Sequence, residues 1–414
     1  MRILVITHTF PPSPHSNAKR PFYLVNGLLK AGWEVDVITS YIGMGEGTPE
    51  TLIHPACSIH RLADPVWRLQ RAFGSKSKVS KWIEQAANGL LFPDFCALWA
   101  RTVVRRFRRE ASHYDRVLAF VYPPSVLLSG SYGVVNRSWF FDFQESVSPQ
   151  FERFPRSSPW QRVNSGRLRR LEQKTLHQAG KVVFTANSNR QTYIEAGLVP
   201  RLNTEHVPYF YDEEAFHLTG AVGPLFEIGY YGNFDLTGSR NPRTFLASLA
   251  GFLKRHPEAR GQTRFQFHGA WLDSHDALLD QLALRDVCRI SKAVPYQDYL
   301  EKLKQSPVLL LVIAEAHNFF MPSKIVDYFG ARRPILAFVP PKSEMHDVLV
   351  EAGMEDYLCG DTDVEEGILA LEGLWKAYGF QSLQVDSSRT SKWSSSTQVS
   401  RYIRMLEAPT GGTA

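Results

Sequence analysis

The chain reads as an α/β protein with two Rossmann-like, doubly wound domains facing a central cleft. Three observations predict this class. Short, continuously apolar runs recur along the chain, as strands buried on both faces of a parallel sheet do. Segments with a helical apolar stripe separate them. The alternation breaks near Tyr209 to Gly223 and then resumes, so 414 residues fall into two halves of ordinary domain size.

Arg2-Ile-Leu-Val-Ile-Thr7 is the first apolar run, and a loop rich in proline and small polar residues follows it. The helix expected over Ala18 to Ala31 carries Tyr23, Leu24, Leu28 and Leu29 on one face, with Gly32 at its C-cap. Glu34 to Ile38 is the next strand, which completes a right-handed βαβ unit. Further strands are expected at Arg116–Phe120, Ser138–Asp142 and Lys181–Thr185, and helices over Arg101–Ser112, Trp160–Gly180 and Asn187–Ala196. The second set has strands at Phe226–Tyr231, Arg264–His268, Val308–Ile313 and Pro334–Phe338. Its helices are expected over Pro242–Lys254, Tyr296–Gln305, Ser323–Ala331 and Ser343–Ala352. Ser387 to Ser395 reads as a serine-rich loop and Gln398 to Leu406 as a short amphipathic helix. The expected domains are residues 1–210 and 224–395, with a C-terminal helix and tail, 396–414, whose helix can return to the first domain. Two doubly wound domains place a ligand outside the carboxyl ends of their strands.

Hydrophobic residues make up 44% of the chain and charged residues 21%, a globular balance. The net charge of +6 suits an anionic partner: a nucleotide, a lipid head group or a nucleic acid. No nucleic-acid motif supports the last of these. Cys57, Cys96, Cys288 and Cys359 are too far apart for a metal clip or redox pair and read as thiols in a reducing compartment. The longest apolar run, Val308 to Ala314, is far short of the roughly 20 residues of a membrane span. The expected location is the cytoplasm, with contact at the inner membrane face left open. Arg68, Arg71, Lys76, Lys78 and Lys81 lie among Trp67 and Trp82, and Arg101, Arg105, Arg106, Arg108 and Arg109 follow. Such a basic run fits either an anionic membrane surface or a solvated helix face.

Five segments carry chemistry. In Met321-Pro-Ser-Lys-Ile-Val-Asp-Tyr-Phe-Gly-Ala-Arg-Arg-Pro-Ile-Leu336, Ser323 is placed to cap a helix whose first N–H groups suit an anion. Lys324 adds a cation there, and Asp327, a turn later, can accept hydrogen bonds from hydroxyls. In Gly229-Tyr-Tyr-Gly-Asn-Phe-Asp-Leu-Thr-Gly-Ser-Arg-Asn-Pro242, Gly232 lets a backbone approach phosphates, and Arg240 offers a planar fork of donors. Thr9 to Arg20 is a loop with His15, Asn17 and Arg20. Tyr122-Pro-Pro-Ser125 and Phe141-Asp-Phe-Gln-Glu-Ser146 follow strands, and Glu145 is either a strand-end acid for chemistry or a capping or salt-bridge acid.

Together these segments resemble the GT-B-fold glycosyltransferases, in particular the family-four type that uses nucleotide sugars. The resemblance spans nearly the whole chain. It implies a donor held by Gly232, Asn233, Arg240, Pro322, Ser323, Lys324 and Asp327, and an acceptor-side loop with His15, Asn17 and Arg20. It implies catalytic roles for Arg240 and Lys324 at the departing diphosphate and for Glu145 at the acceptor hydroxyl. The implied partners are a nucleotide sugar and a saccharide, lipid-linked or small-metabolite acceptor, with retention and with neither metal nor cofactor. The chain departs from the family where a first acid is usual: Phe319 stands there. The alternative is a non-catalytic GT-B subunit that binds a partner glycosyltransferase or a membrane.

Overall fold

The structure, a computed structural model, describes residues 1–409 apart from 14, 42–49, 74–76, 108–109, 131–134, 150–158, 218–222, 236–237, 239, 315–320, 380–382 and 384. The chain divides into two compact units, Met1–Pro208 with Gln398–Ala414, and Tyr209–Thr397.

The first unit is built on a seven-stranded parallel sheet. Its strands are β1 (Arg2–Ile6), β2 (Glu34–Ser40), β3 (Ser58–Leu62), β4 (Arg116–Phe120), β5 (Trp139–Phe143), β6 (Lys181–Phe184) and β7 (Thr204–His206). They lie in the order β3-β2-β1-β4-β5-β6-β7. Helices α1 (Lys19–Lys30), α2 (Pro65–Ala72), α3 (Lys78–Leu90), α4 (Ala97–Phe107), α5 (Pro159–Leu176) and α6 (Asn187–Glu195) connect them. The period of two along each strand sends alternate side chains to two cores. Ile3 and Val5 join Leu118 and Val183 in one, and Leu4 and Ile6 join Val117 and Val182 in the other.

The second unit has β8 (Phe226–Tyr231), β9 (Thr263–His268), β10 (Cys288–Ser291), β11 (Val308–Val312), β12 (Ile335–Val339) and β13 (Leu358–Gly360). Their order is β10-β9-β8-β11-β12-β13, again all parallel. The helices are α7 (Arg243–Arg255), α8 (Asp273–Gln281), α9 (Tyr296–Gln305), α10 (Lys324–Ala331), α11 (Glu344–Glu351), α12 (Val364–Gly379) and α13 (Ser387–Thr390), and α14 (Ser395–Glu407) starts here. In both sheets the winding reverses beside the first strand of the unit. A ligand site outside the carboxyl ends of the strands belongs at that reversal.

Several elements differ from expectation. The serine-rich stretch is not a loop: Asp386 caps α13, accepting from the Ser388 amide, and α14 begins at Ser395. Hydroxyls and a carboxylate there satisfy helix N–H groups, so serine content marks helix starts. Helix α4 starts earlier than Arg101, because Ala97, Trp99 and Ala100 already belong to its buried stripe. It leaves Arg101, Arg105 and Arg106 exposed.

From Gln398 onward α14 belongs to the first unit, where Val399, Tyr402 and Leu406 enter the core of α1 and β1. A Cβ on Gly27 would stand 2.4 Å from Val399 Cγ1, so the close approach requires glycine there. The same region holds a buried ion pair. Arg20 Nε donates to both carboxylate oxygens of Asp142 at 3.1 and 3.0 Å. Its terminal nitrogens donate to the carbonyls of Pro208 and Val207 at 2.7 and 2.8 Å and to the Tyr402 hydroxyl at 3.2 Å. Removing one partner of such a pair strands a charge in the core. Asp142→Asn is therefore predicted to destabilise the protein by about 3–5 kcal/mol in urea denaturation. A cost below about 1 kcal/mol would show that the pair is not holding this region.

Candidate active site

The second unit offers a site at the reversal between β8 and β11. Gly232 follows β8 in a backbone conformation, φ 141°, that side chains resist. Its amide donates to the His268 carbonyl at 2.9 Å. Asn233 fixes the same turn: its Oδ1 accepts from the Ala270 amide at 2.9 Å, and its carbonyl accepts from the Tyr230 hydroxyl at 3.2 Å. Tyr230 packs in a cluster with Phe234 and Phe267, with centroids 4.1 and 5.7 Å away, and those two rings are 5.1 Å apart.

Lys324, the first residue of α10, reaches this turn. The residue is half-buried, but its amine is shut away from solvent and, among the described residues, has no hydrogen-bond partner. The Nζ lies 3.8 Å from the centre of the Tyr230 ring, and a Cβ placed on Gly232 would lie 3.8 Å from it. Burial pushes the amine well below the usual lysine value, and the Arg240 charge pushes it the same way. Arg240 is half-buried, and its carbonyl accepts from the Asp235 amide at 3.0 Å. An amine and a guanidinium therefore crowd one turn, and among the described residues the amine has no hydrogen-bond partner. Burial without a partner is costly, and a bound anion removes that cost.

Asp327 lies one turn along α10 and is buried. One of its oxygens accepts from the Tyr299 hydroxyl at 3.0 Å. Burial, and then Asp327, raise the Tyr299 phenol well above its ordinary range, so it stays a donor. Ser323 does not cap α10 through its side chain, contrary to expectation. Its backbone is helical, φ −60° and ψ −22°, whereas a capping side chain needs an extended backbone to fold back. Pro322 is buried and its carbonyl accepts from the Ile325 amide at 3.1 Å. Phe319 lies outside the described residues.

In the first unit the expected residues separate into two groups. Asn17, Glu145 and Tyr122 come together at the carboxyl ends of β4 and β5. The Asn17 side chain bonds the Tyr122 phenol, and the Glu145 charge acts on that phenol, which burial chiefly raises. The Asn17 carbonyl accepts from Gln144 Nε2 at 3.2 Å. Glu145 is half-buried and His15 is exposed. Arg20 stands apart from them. Its guanidinium is in the core on Asp142, where those donors hold the fold.

His8 is also buried. Its Nε2 is 3.0 Å from Asp64 Oδ2, and Cys96 completes a buried group whose possible ligand atoms lie within 4.8 Å of one another. This is a geometric candidate for a metal. Asp64 is already engaged, since its Oδ1 accepts from the amides of Val66 and Trp67 at the start of α2. Burial raises the Cys96 thiol well above its ordinary value. The group reads as a satisfied polar cluster.

No family model matches the chain, and no curated protein matches it. Solved structures do match over its full length. Sucrose-phosphate synthase from Thermosynechococcus elongatus aligns with a TM-score of 0.64 at 14% identity, over 98% of each chain. A glycosyltransferase from Rickettsia africae aligns at 0.58 and 11%, over 98% of this chain and 97% of that one. Anabaena HepE, solved in complex with UDP and glucose, aligns at 0.61 and 12%, over 98% and 99%. The chain has the GT-B fold. In this GT-B chain the Gly232 turn and Lys324 occupy the winding reversal of the second sheet.

Tyr230 and Tyr299, which the sequence reading missed, set the local chemistry. Tyr230 was visible only as one apolar residue of an expected strand. Its partnership with Lys324 is made by folding across 94 positions.

The buried amine has a consequence for stability. Its folded pKa is depressed, so between that value and the usual lysine pKa the unfolded chain binds a proton that the folded chain lacks. Stability from this group therefore rises with pH across that window. Lys324→Met is predicted to make the ligand-free protein more stable at neutral pH and to flatten the rise toward pH about 10. Denaturation midpoints of both proteins across the pH series test this. A less stable variant with an unchanged pH slope would contradict the burial of a lone amine.

Proposed function

We propose that the protein is a glycosyltransferase that uses a nucleotide-sugar donor. The observation that carries this reading is the enclosed Lys324 amine, which has no hydrogen-bond partner among the described residues, against the Gly232 turn at the carboxyl end of β8. A diphosphate is the anion that such a place suits. Lys324 supplies a compact cation, Arg240 a planar fork, and the glycine a backbone that can be approached closely. The likeness in fold to HepE, solved with UDP and glucose, supports the same reading.

In this proposal residues 224–395 bind the donor and residues 1–210 the acceptor. Asp327 and Tyr299 flank the nucleoside side, where hydroxyls need acceptors. The bond between the sugar C1 and the phosphate oxygen breaks, and the electron pair leaves with the diphosphate. The acceptor oxygen bonds to C1 with Glu145 orienting its hydroxyl, and its proton passes to the departing phosphate. Lys324 and Arg240 hold the charge that grows on the leaving group, so these side chains supply what a divalent cation would otherwise supply. Retention of configuration and a cytoplasmic location complete the proposal. The acceptor is a saccharide, a lipid-linked sugar or a small metabolite.

A thermal-shift panel with UDP, GDP, ADP and dTDP tests the reading. A ligand at 100 times its Kd stabilises by about 2.7 kcal/mol, which is readily detected. One nucleotide is expected to shift the melting point of the intact protein, and that shift is expected to shrink in Lys324→Ala and in Arg240→Ala. A charge-assisted contact contributes about 1.5–3 kcal/mol, so each variant should weaken binding roughly tenfold to a hundredfold. No shift with any nucleotide would overturn the transferase reading in favour of a non-catalytic GT-B subunit.

A further inference from the structure

Helices α2 and α3 pack on each other, yet each keeps an apolar line turned to solvent. On α3 this line is Val79, Trp82, Ala86 and Leu90, at i, i+3, i+7 and i+11, which share one side of a helix. Val79 is 47% exposed, Trp82 68% and Leu90 82%. The neighbouring stripe, with Ser80 and Ile83, is the one that is buried. On α2, Leu69 is 50% exposed, and Phe73, the residue that ends the helix, is 56% exposed. A solvated surface helix would carry polar residues at these positions.

The polar residues beside these lines are mainly basic. Arg68, Arg71, Lys78 and Lys81 are all exposed, and Glu84 is the exposed acid of the two helices. Beside them lies a cavity of about 450 Å³ lined by Tyr41, Ala63, Trp67, Arg68, Arg71 and Ala72. The Arg71 guanidinium lies 5.4 Å from the centre of the Trp67 ring at its wall. Guanidinium donors beside an apolar wall suit a phosphate joined to something hydrophobic.

We propose that the α2–α3 hairpin is a membrane-surface element that binds anionic phospholipid. Trp82, Leu90, Leu69 and Phe73 enter the interfacial layer, Lys78 and Lys81 meet head-group charge, and the Arg68–Arg71 cavity receives one phosphate. Charge complementarity selects the lipid surface over a second copy of this equally basic hairpin, which would repel it. The helices are too short to span a bilayer, and among the described residues no helix is long and apolar enough to cross one. An interfacial helix needs only a modest apolar face and flanking cations. The inference does not rest on the transferase reading, because no donor or acceptor enters it.

The test is flotation of the full-length protein with two kinds of vesicle, phosphatidylcholine alone and phosphatidylcholine with phosphatidylglycerol, without nucleotide. Binding is expected to the anionic vesicles, weakening as salt rises. Neutralising each of Arg68, Arg71, Lys78 and Lys81 with Gln is expected to lower partitioning about fivefold. A triple variant, Leu69→Ser, Phe73→Ser and Trp82→Ser, should abolish binding at high salt, and circular dichroism should show the fold retained because all three are exposed. Equal binding to both vesicle types, or anionic binding that neither set of variants alters, would overturn the proposal. So would sedimentation showing that the chain self-associates and that the triple variant makes it monomeric.

Discussion

The second unit is organised around an amine that no described residue neutralises. Lys324 leaves α10 and ends against the Tyr230 ring and the Gly232 turn, with no hydrogen-bond acceptor among the described residues. The surrounding parts explain why it can stay there. The aromatic cluster of Phe234, Tyr230 and Phe267 keeps a ring face under the cation. The link from Gly232 to His268 and the contacts of Asn233 hold the turn in place. A Cβ at Gly269 would meet the Gly232 carbonyl at 1.8 Å, so the two turns touch backbone to backbone. Such a scaffold is costly unless something anionic is to be bound at the amine.

The protein handles a second buried cation in the opposite way. Arg20 is as enclosed as the Lys324 amine, but Asp142, two carbonyls and the Tyr402 hydroxyl take up its donors. A satisfied cation ties β5, the end of β7 and the last helix together. An unsatisfied one waits for a ligand. The distinction is one of partners rather than residue type, and it gives two basic residues, one expected on the acceptor side and one on the donor side, different work.

That distinction also shows what could be read without a structure. The apolar runs of β1, β8 and β11 are buried on both faces, so their composition alone revealed a parallel, doubly wound fold. Edge strands such as β3, Ser-Ile-His-Arg-Leu, and β10, Cys-Arg-Ile-Ser, carry too little apolar signal to be seen. Lys324 and Gly232 stood out because a helix start and a glycine turn are local patterns. The partner of Arg20 is 122 positions away, so nothing local distinguished a core clamp from a loop cation. The absent cap at Ser323 depends on backbone angles that a capping residue type cannot report. The exposed line on α3 escaped notice because an apolar stripe looks the same whether it is covered or bare.

The central claim is that a diphosphate completes the charge of Lys324. The measurement that tests it most directly is titration calorimetry of the best-binding nucleotide in two buffers of different ionisation enthalpy. It is made near pH 8.5, where the terminal phosphate has lost its last proton. If the amine is deprotonated in its dry site and charged beneath the diphosphate, binding takes up a proton from buffer, and Lys324→Met abolishes that uptake. Binding with no proton uptake, or with uptake unchanged in Lys324→Met, would contradict the account.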